Sequence, residues 1–135
     1  MSFRPSDAAD RGTLYRWRRE QEQDGHQEGW YNGAATTTVQ HSIWFRHALA
    51  HAQILIWEDI YGEPVGYLRI DSNGELSFYP HTLAAVPMLK AAHPFADRYG
   101  GRLKATVDEA NVQASEALDQ AGYTRAPVSF HVYRP

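Results

Sequence analysis

Two apolar runs, Val65–Ile70 and Leu76–Tyr79, flank Asp71, Ser72, Asn73 and Gly74. An Asn-Gly pair supplies the positive φ angles of a tight turn between antiparallel strands, so this stretch predicts a β-hairpin. The fold must therefore be built around a sheet. Pro80 follows directly and cannot donate to a ladder, which ends the second strand before it becomes a long central one.

The rest of the chain supplies partners for that hairpin. Ser6 and Asp7 can cap a helix, and Leu14 and Trp17 within a charged stretch predict an amphipathic helix over residues 7–22. Gln23–Thr37 is polar, contains Gly25, Gly29 and Gly33, and reads as a loop carrying Trp30 and Tyr31. Val39–His51 places Trp44, Phe45, Ala48 and Leu49 at helical spacing. Gln53–Glu58 reads as a strand, Thr82–Tyr99 as a helix interrupted near Pro87 and Pro94, and Leu103–Val107 as a further strand. Asn111–Gln120 reads as a helix closed by Gly122, and Val128–Tyr133 as the last strand. The order is strand, two helices, three strands, helix, strand, helix, strand. It predicts a mixed α/β (α+β) domain, with a mostly antiparallel central sheet and helices on both faces.

At 135 residues with 43% hydrophobic composition, one core and one domain spanning residues 1–135 are expected. The formal charge of -3 and the scatter of cations outside Arg16, Arg18 and Arg19 argue against a general nucleic-acid binder. The absence of cysteine excludes disulfides, thiolate metal sites and cysteine nucleophiles. Met1–Asp10 carries no secretory pattern, and no apolar run reaches the roughly 18–20 residues of a membrane span, so a soluble cytoplasmic protein is expected. His47 and His51 stand at the spacing of two metal ligands, but no Glu lies between them and no third ligand is identifiable. A polar helix face accounts for them, and no metal is expected. No serine sits in a glycine-flanked elbow, which argues against a Ser-His-Asp hydrolase.

Phe3, Arg4, Pro5, Asp7 and the run Leu14 to Arg18, and then His41, Trp44 and Phe45, resemble the opening of the ribosomal-protein N-terminal acetyltransferase-like members of the acyl-CoA-dependent N-acyltransferase (GNAT) superfamily. Gly62 to Tyr67 resembles the second hairpin and third strand of the family. Asn111, Leu118, Gly122 and Tyr123 resemble its helix after the fifth strand. The resemblance implies transfer of an acetyl or other acyl group from acyl-CoA to a primary amine, by direct attack. It also implies that the strands Glu75–Tyr79 and Leu103–Val107 part to admit a thioester arm.

On that resemblance, a backbone N–H of Phe78 or Tyr79 meets the oxyanion, Glu75 is the base and Asn111 approaches the CoA arm. The positions of the family's thiolate acid hold Leu118 and Ala114, which leaves neighbouring Ser115 as the candidate. Trp30 and Tyr31 fall in the region that covers the acceptor. Each has a structural alternative: Glu75 as a solvated hairpin residue, Asn111 as an N-cap, Ser115 as a surface serine, and the two aromatics as a core cap or dimer contact. The chain departs from the family at the pyrophosphate loop, because Tyr79 to Val86 contains neither glycine nor Arg. His81 and Thr82 at a helix start are the remaining phosphate donors there. The competing reading is an inactive binding or assembly module of the same fold that has lost CoA. Expected partners are a small-molecule, peptide or other amine acceptor, and a homodimer formed through the last strand or the aromatic surface.

Overall fold

Gly74 is the residue on which the central hairpin turns, with φ +83 and its N–H donating to the Asp71 carbonyl at 2.9 Å. No non-glycine residue has positive φ among the described residues, so Asn73 does not share the left-handed conformation expected of an Asn-Gly turn. Its side chain instead accepts from the Glu75 N–H at 3.2 Å. The connection is thus a right-handed turn followed by one left-handed glycine, a common alternative to the two-residue loop. A Cβ on Gly74 would lie 2.7 Å from the Arg102 carbonyl oxygen and 3.1 Å from Tyr99 Cβ, so the turn is also packed against the chain entering the next strand.

The computed structural model describes residues 1–23, 46, 52–107, 110–125 and 130–133. Its strands are β1 (Ser2–Pro5), β2 (Ala52–Glu58), β3 (Pro64–Asp71), β4 (Glu75–Tyr79), β5 (Leu103–Thr106), β6 (Thr124–Arg125) and β7 (Phe130–Tyr133). They form one sheet in the order β1-β2-β3-β4-β5-β7-β6, antiparallel except between β4 and β5. The helices are α1 (Arg11–Gln23), α2 (Val86–Ala91) and α3 (Val112–Gln120). The mixed fold with helices on both faces is as the sequence predicts.

Three details differ from expectation. Thr82–Tyr99 is not one kinked helix but α2 between two 3-10 segments, Leu83–Ala85 and His93–Tyr99. Pro87 and Pro94 each sit in the first turn of a new segment, where a missing N–H costs least. The last strand is not at the sheet edge as expected, since β5 pairs it on one side and β6 pairs Val132 and His131 on the other. The two-residue β6 was too short to read from sequence. The predicted loop beyond Gln23 and the predicted helix Val39–His51 lie outside the described residues, apart from Arg46, which is helical.

Side-chain alternation divides the core between the two faces of the sheet. Ile54, Ile56 and Tyr67 face α1, where Leu14 and Trp17 cover them. Leu55, Trp57, Leu68, Ile70, Leu76 and Phe78 face the other way, against Met88, Leu89, Ala114, Ala117 and Leu118. Each large side chain fully buried here contributes about 1.5–3 kcal/mol.

An ion cluster fixes how α1 is joined to the sheet. Arg4 on β1 donates to both Asp10 oxygens, at 2.9 and 2.8 Å, and to Glu58 on β2 at 2.8 Å. Asp10 also accepts from the Asp7 N–H at 2.9 Å, and Asp7 accepts from Ala9, which closes a capping box. The Arg4 hydrogen bonds hold the Asp10 carboxyl below its ordinary value and, with those to Glu58, raise that of Arg4. On the opposite face, burial is the main cause that pushes His93 below its ordinary 6.5, and Lys90 adds to it.

These features lead to two expected outcomes. Gly74→Ala lowers stability by about 1–3 kcal/mol in chemical denaturation, because it combines a strained φ with a backbone clash. For pH, a depressed carboxylate contributes stability above its ordinary pKa and loses it as pH falls through its folded value. A depressed histidine is the charged form disfavoured, so stability falls as pH drops below 6.5. Both terms have the same sign, and melting temperature should decrease steadily from neutral to acid pH. His93→Gln should flatten the part of that curve just below 6.5.

Candidate functional site

The two parallel strands at the centre of the sheet separate almost at once. β4 and β5 are paired only at Glu75↔Lys104 and Leu76↔Ala105, and the Lys104 N–H donates to the Gly74 carbonyl at 2.9 Å. Ser77, Phe78 and Tyr79 have no β5 partner. Since the Gly74 carbonyl points at β5, alternation along the strand aims the backbone of Leu76 and Phe78 the same way. The Phe78 N–H therefore points into the opening, while the Tyr79 N–H points at β3. Of Phe78 and Tyr79, Phe78 is the one whose backbone turns toward β5.

His81 and Asn111 meet across the mouth of this opening. Asn111 Nδ2 lies 2.9 Å from His81 Nδ1, and both residues are buried. An amide nitrogen only donates, so Nδ1 accepts and the ring proton resides on Nε2. Asn111 Oδ1 receives the Ala114 N–H at a long 3.4 Å, which makes Asn111 the N-cap of α3. The His81 ring leans on Phe78, with centroids 5.0 Å apart. Thr82 caps the adjoining 3-10 turn, its hydroxyl accepting from Ala84 N–H at 3.3 Å. Two residues expected at the cofactor thus form a tie between the segment after β4 and the start of α3.

On the α1 side, the Tyr79 hydroxyl donates to Glu20 Oε2 at 2.7 Å. Its ring stacks on Trp17 at 4.8 Å and 13°. Sequence reasoning missed Glu20. The available signal was its spacing of three from Trp17, which puts both on one helix face.

The other candidates are dispersed. Glu75 is half-buried where β4 is still joined to β5, some four residues or about 13 Å of strand from Tyr79. Ser115 is not the surface serine expected of it, being 9% exposed in the buried stripe of α3 that also holds Ala114 and Leu118. The stripe turns inward there because Asn111, one turn earlier, is buried as well, and Ser115 N–H donates to the Asn111 carbonyl at 3.1 Å. Trp30, Tyr31, His47 and His51 lie outside the described residues. Among the described residues no group of His, Asp and Glu is arranged to hold a metal, and no helix is long and apolar enough to cross a membrane. A separate cavity of about 380 Å³ is lined by apolar residues of β2, β3 and the segment after β4, including Trp57, Val65, Pro80 and Met88. None of its lining residues comes from β5.

No protein-family model matches the sequence, and no curated protein matches it either. Solved structures do. AAC(6')-Ib in complex with ribostamycin and coenzyme A superposes with a TM-score of 0.79 at 16% identity, over 98% of this chain and 92% of that one. The acetyl-CoA complex of yncA, a putative acetyltransferase from Salmonella typhimurium, gives 0.71 at 15% identity, over 99% and 93%. A GNAT superfamily phosphinothricin acetyltransferase from Sinorhizobium meliloti in complex with AcCoA gives 0.69 at 13% identity, over 98% and 87%. The chain has the GNAT fold.

Asn111→Ala removes both the α3 cap and the donor to His81 Nδ1. A loss of about 1–3 kcal/mol is expected in thermal or chemical unfolding. Asn111→Asp, which preserves the cap acceptor, should recover part of it.

Proposed function

We propose that this chain is an acyl-CoA-dependent N-acyltransferase of the GNAT superfamily that moves an acetyl group from acetyl-CoA to a primary amine. The separation of β4 from β5 after Leu76 is the observation that carries this reading. It turns the Phe78 backbone N–H toward the space where β5 no longer pairs with β4. A thioester carbonyl fits there, because charge grows on its oxygen as the amine attacks and a fixed N–H stabilises that charge. The amine nitrogen bonds to the carbonyl carbon, the C–S bond breaks, the nitrogen loses a proton and the departing thiolate gains one.

CoA and acetyl-CoA in the structural neighbours support the same co-substrate here, and the aminoglycoside held by one of them supports an amine acceptor. Within this reading, Glu75 acts as base through water, since it sits at the joined end of the strands. Ser115 is the hydroxyl assigned to the thiolate, while Trp30 and Tyr31 cover the acceptor. Asn111 borders the CoA arm, with its side chain engaged by His81. The pyrophosphate side is reduced: Pro80 to Val86 holds no glycine and no arginine, which leaves His81, Thr82 and backbone N–H groups as donors. Weaker CoA binding than a full glycine loop gives is the consequence. The opening residues Phe3 to Arg18 support kinship with the ribosomal-protein N-terminal acetyltransferase-like group.

Calorimetry with acetyl-CoA tests this. Binding should be measurable at millimolar concentrations or below, and Thr82→Ala should weaken it about threefold to tenfold through the loss of one hydroxyl contact. Release of CoA thiol in the presence of amines should follow. No heat and no thermal shift at millimolar acetyl-CoA would leave a binding module that shares only the fold.

A further inference from the structure

The turn between β2 and β3 presents large apolar side chains where small and polar residues are usual. Ile60 and Tyr61 at its tip are 76% and 83% exposed, so neither contributes to the core of its own chain. The backbone beneath them is nonetheless tightly tied. Asp59 Oδ1 accepts from the N–H groups of Tyr61 and Glu63 at 2.8 and 3.0 Å. The Asp59 N–H donates to the Glu63 carbonyl at 3.0 Å, and the Gly62 N–H donates to the Asp59 carbonyl at 3.1 Å. A turn ordered by its own hydrogen bonds holds these two side chains out at little further entropic cost when they are buried against something else.

A hollow that fits such a knob adjoins it. The cavity of about 380 Å³ is walled by Trp57 and Val65, which lead into and out of this turn, and by Leu83, Pro87 and Met88 from the segment after β4. Trp57 and Met88 belong to the core whereas Val65 and Leu83 are exposed, so the hollow runs inward from solvent. None of the described residues lining it carries a charge, which suits an apolar side chain better than a polar ligand. A knob and a hollow on one face of the same chain are what a two-fold contact needs, since each copy then gives and receives the same patch. We infer that this face is a self-association surface, on which Ile60 and Tyr61 of one copy enter the cavity of a second copy and the exchange is reciprocal. Charge agrees with this. Glu63 is exposed beside the knob, and Lys90 is exposed one helical turn beyond Pro87, so an acidic flank meets a basic rim. Area agrees as well. Tyr61 can bury about 150 Å² or more, and Ile60, Val65 and Leu83 on the order of 60 to 120 Å² each, which approaches roughly half of the about 800 Å² per partner of a standard interface before the rim is counted. None of these residues belongs to β5, so the contact is independent of the parted strands and of the acyltransferase reading.

Sedimentation velocity on the full chain tests this, and a concentration-dependent equilibrium between monomer and dimer is expected. Ile60→Ser and Tyr61→Ser stand at positions that support nothing in their own chain, so circular dichroism should be unchanged while the dimer weakens about tenfold or more in each. Glu63→Lys should weaken it too, and adding Lys90→Glu to the same chain should restore it, which a merely sticky surface would not do. The sequence contains no cysteine, so Glu63→Cys mixed with Lys90→Cys gives a second readout. On mild oxidation the two variants should form a disulfide-linked pair with each other. A chain that stays monomeric at about 1 mM, a dimer indifferent to Tyr61→Ser, a charge reversal without rescue, or no mixed cross-link would overturn the inference. So would a monomer whose cavity binds the apolar dye 1-anilinonaphthalene-8-sulfonate, since the hollow would then belong to a small molecule.

Discussion

The parting of β4 from β5 is the constraint around which the rest of the molecule is organised. A parallel pair that ends after two positions interrupts the ladder in the middle of a sheet, where pairing would ordinarily continue. Nothing in the ladder itself keeps the strands apart, so packing must. Phe78 is held on one face by α2 and α3, Tyr79 on the other by Trp17 and Glu20. Consecutive residues of one strand are thus pulled into opposite layers just where the ladder stops. Beyond the gap, the His81–Asn111 contact joins the segment after β4 to the start of α3 through two buried side chains instead of a backbone ladder.

That arrangement makes the position of α1 matter more than its modest burial suggests. Arg4 joins β1, β2 and the turn that starts α1 through three short charge-assisted bonds. Such bonds are worth more when geometry is bidentate, as it is toward Asp10. Since Trp17 and Glu20 follow Asp10 on the same continuous helical segment, the cluster at the sheet edge sets where those side chains meet β4. Sheet edge and central opening are coupled through one rigid element.

The legible parts of this fold were those decided locally. The Asp71–Gly74 turn, the stop at Pro80 and the cap at Asn111 each depend on a few neighbouring residues, and the structure has them where the sequence places them. The segments around Pro87 and Pro94 show the limit of the same logic. Proline reads equally as a kink or as a first turn, and only packing over the sheet selects the second. The burial of Ser115 was not legible because the phase of α3 against the sheet is a tertiary matter, and Asn111 at its start meets His81, thirty residues away in the chain. Glu20 was invisible for a stronger reason. Its partner is separated by fifty-nine residues, and a glutamate on a charged amphipathic helix has no local mark that distinguishes a site from a solvated face.

The substitution of a side-chain tie for a glycine loop changes what the opening can do. A glycine loop wraps phosphates with backbone N–H groups and leaves side chains out of the way. Here the corresponding segment turns through Pro80, His81 and Thr82, with His81 and Asn111 buried against each other. Their bond consumes donor capacity that an anion could have used, yet it orders the lip of the opening before any ligand arrives. The lip is thus set by two buried side chains, beside the point where the Phe78 backbone turns toward β5 and the ladder has stopped.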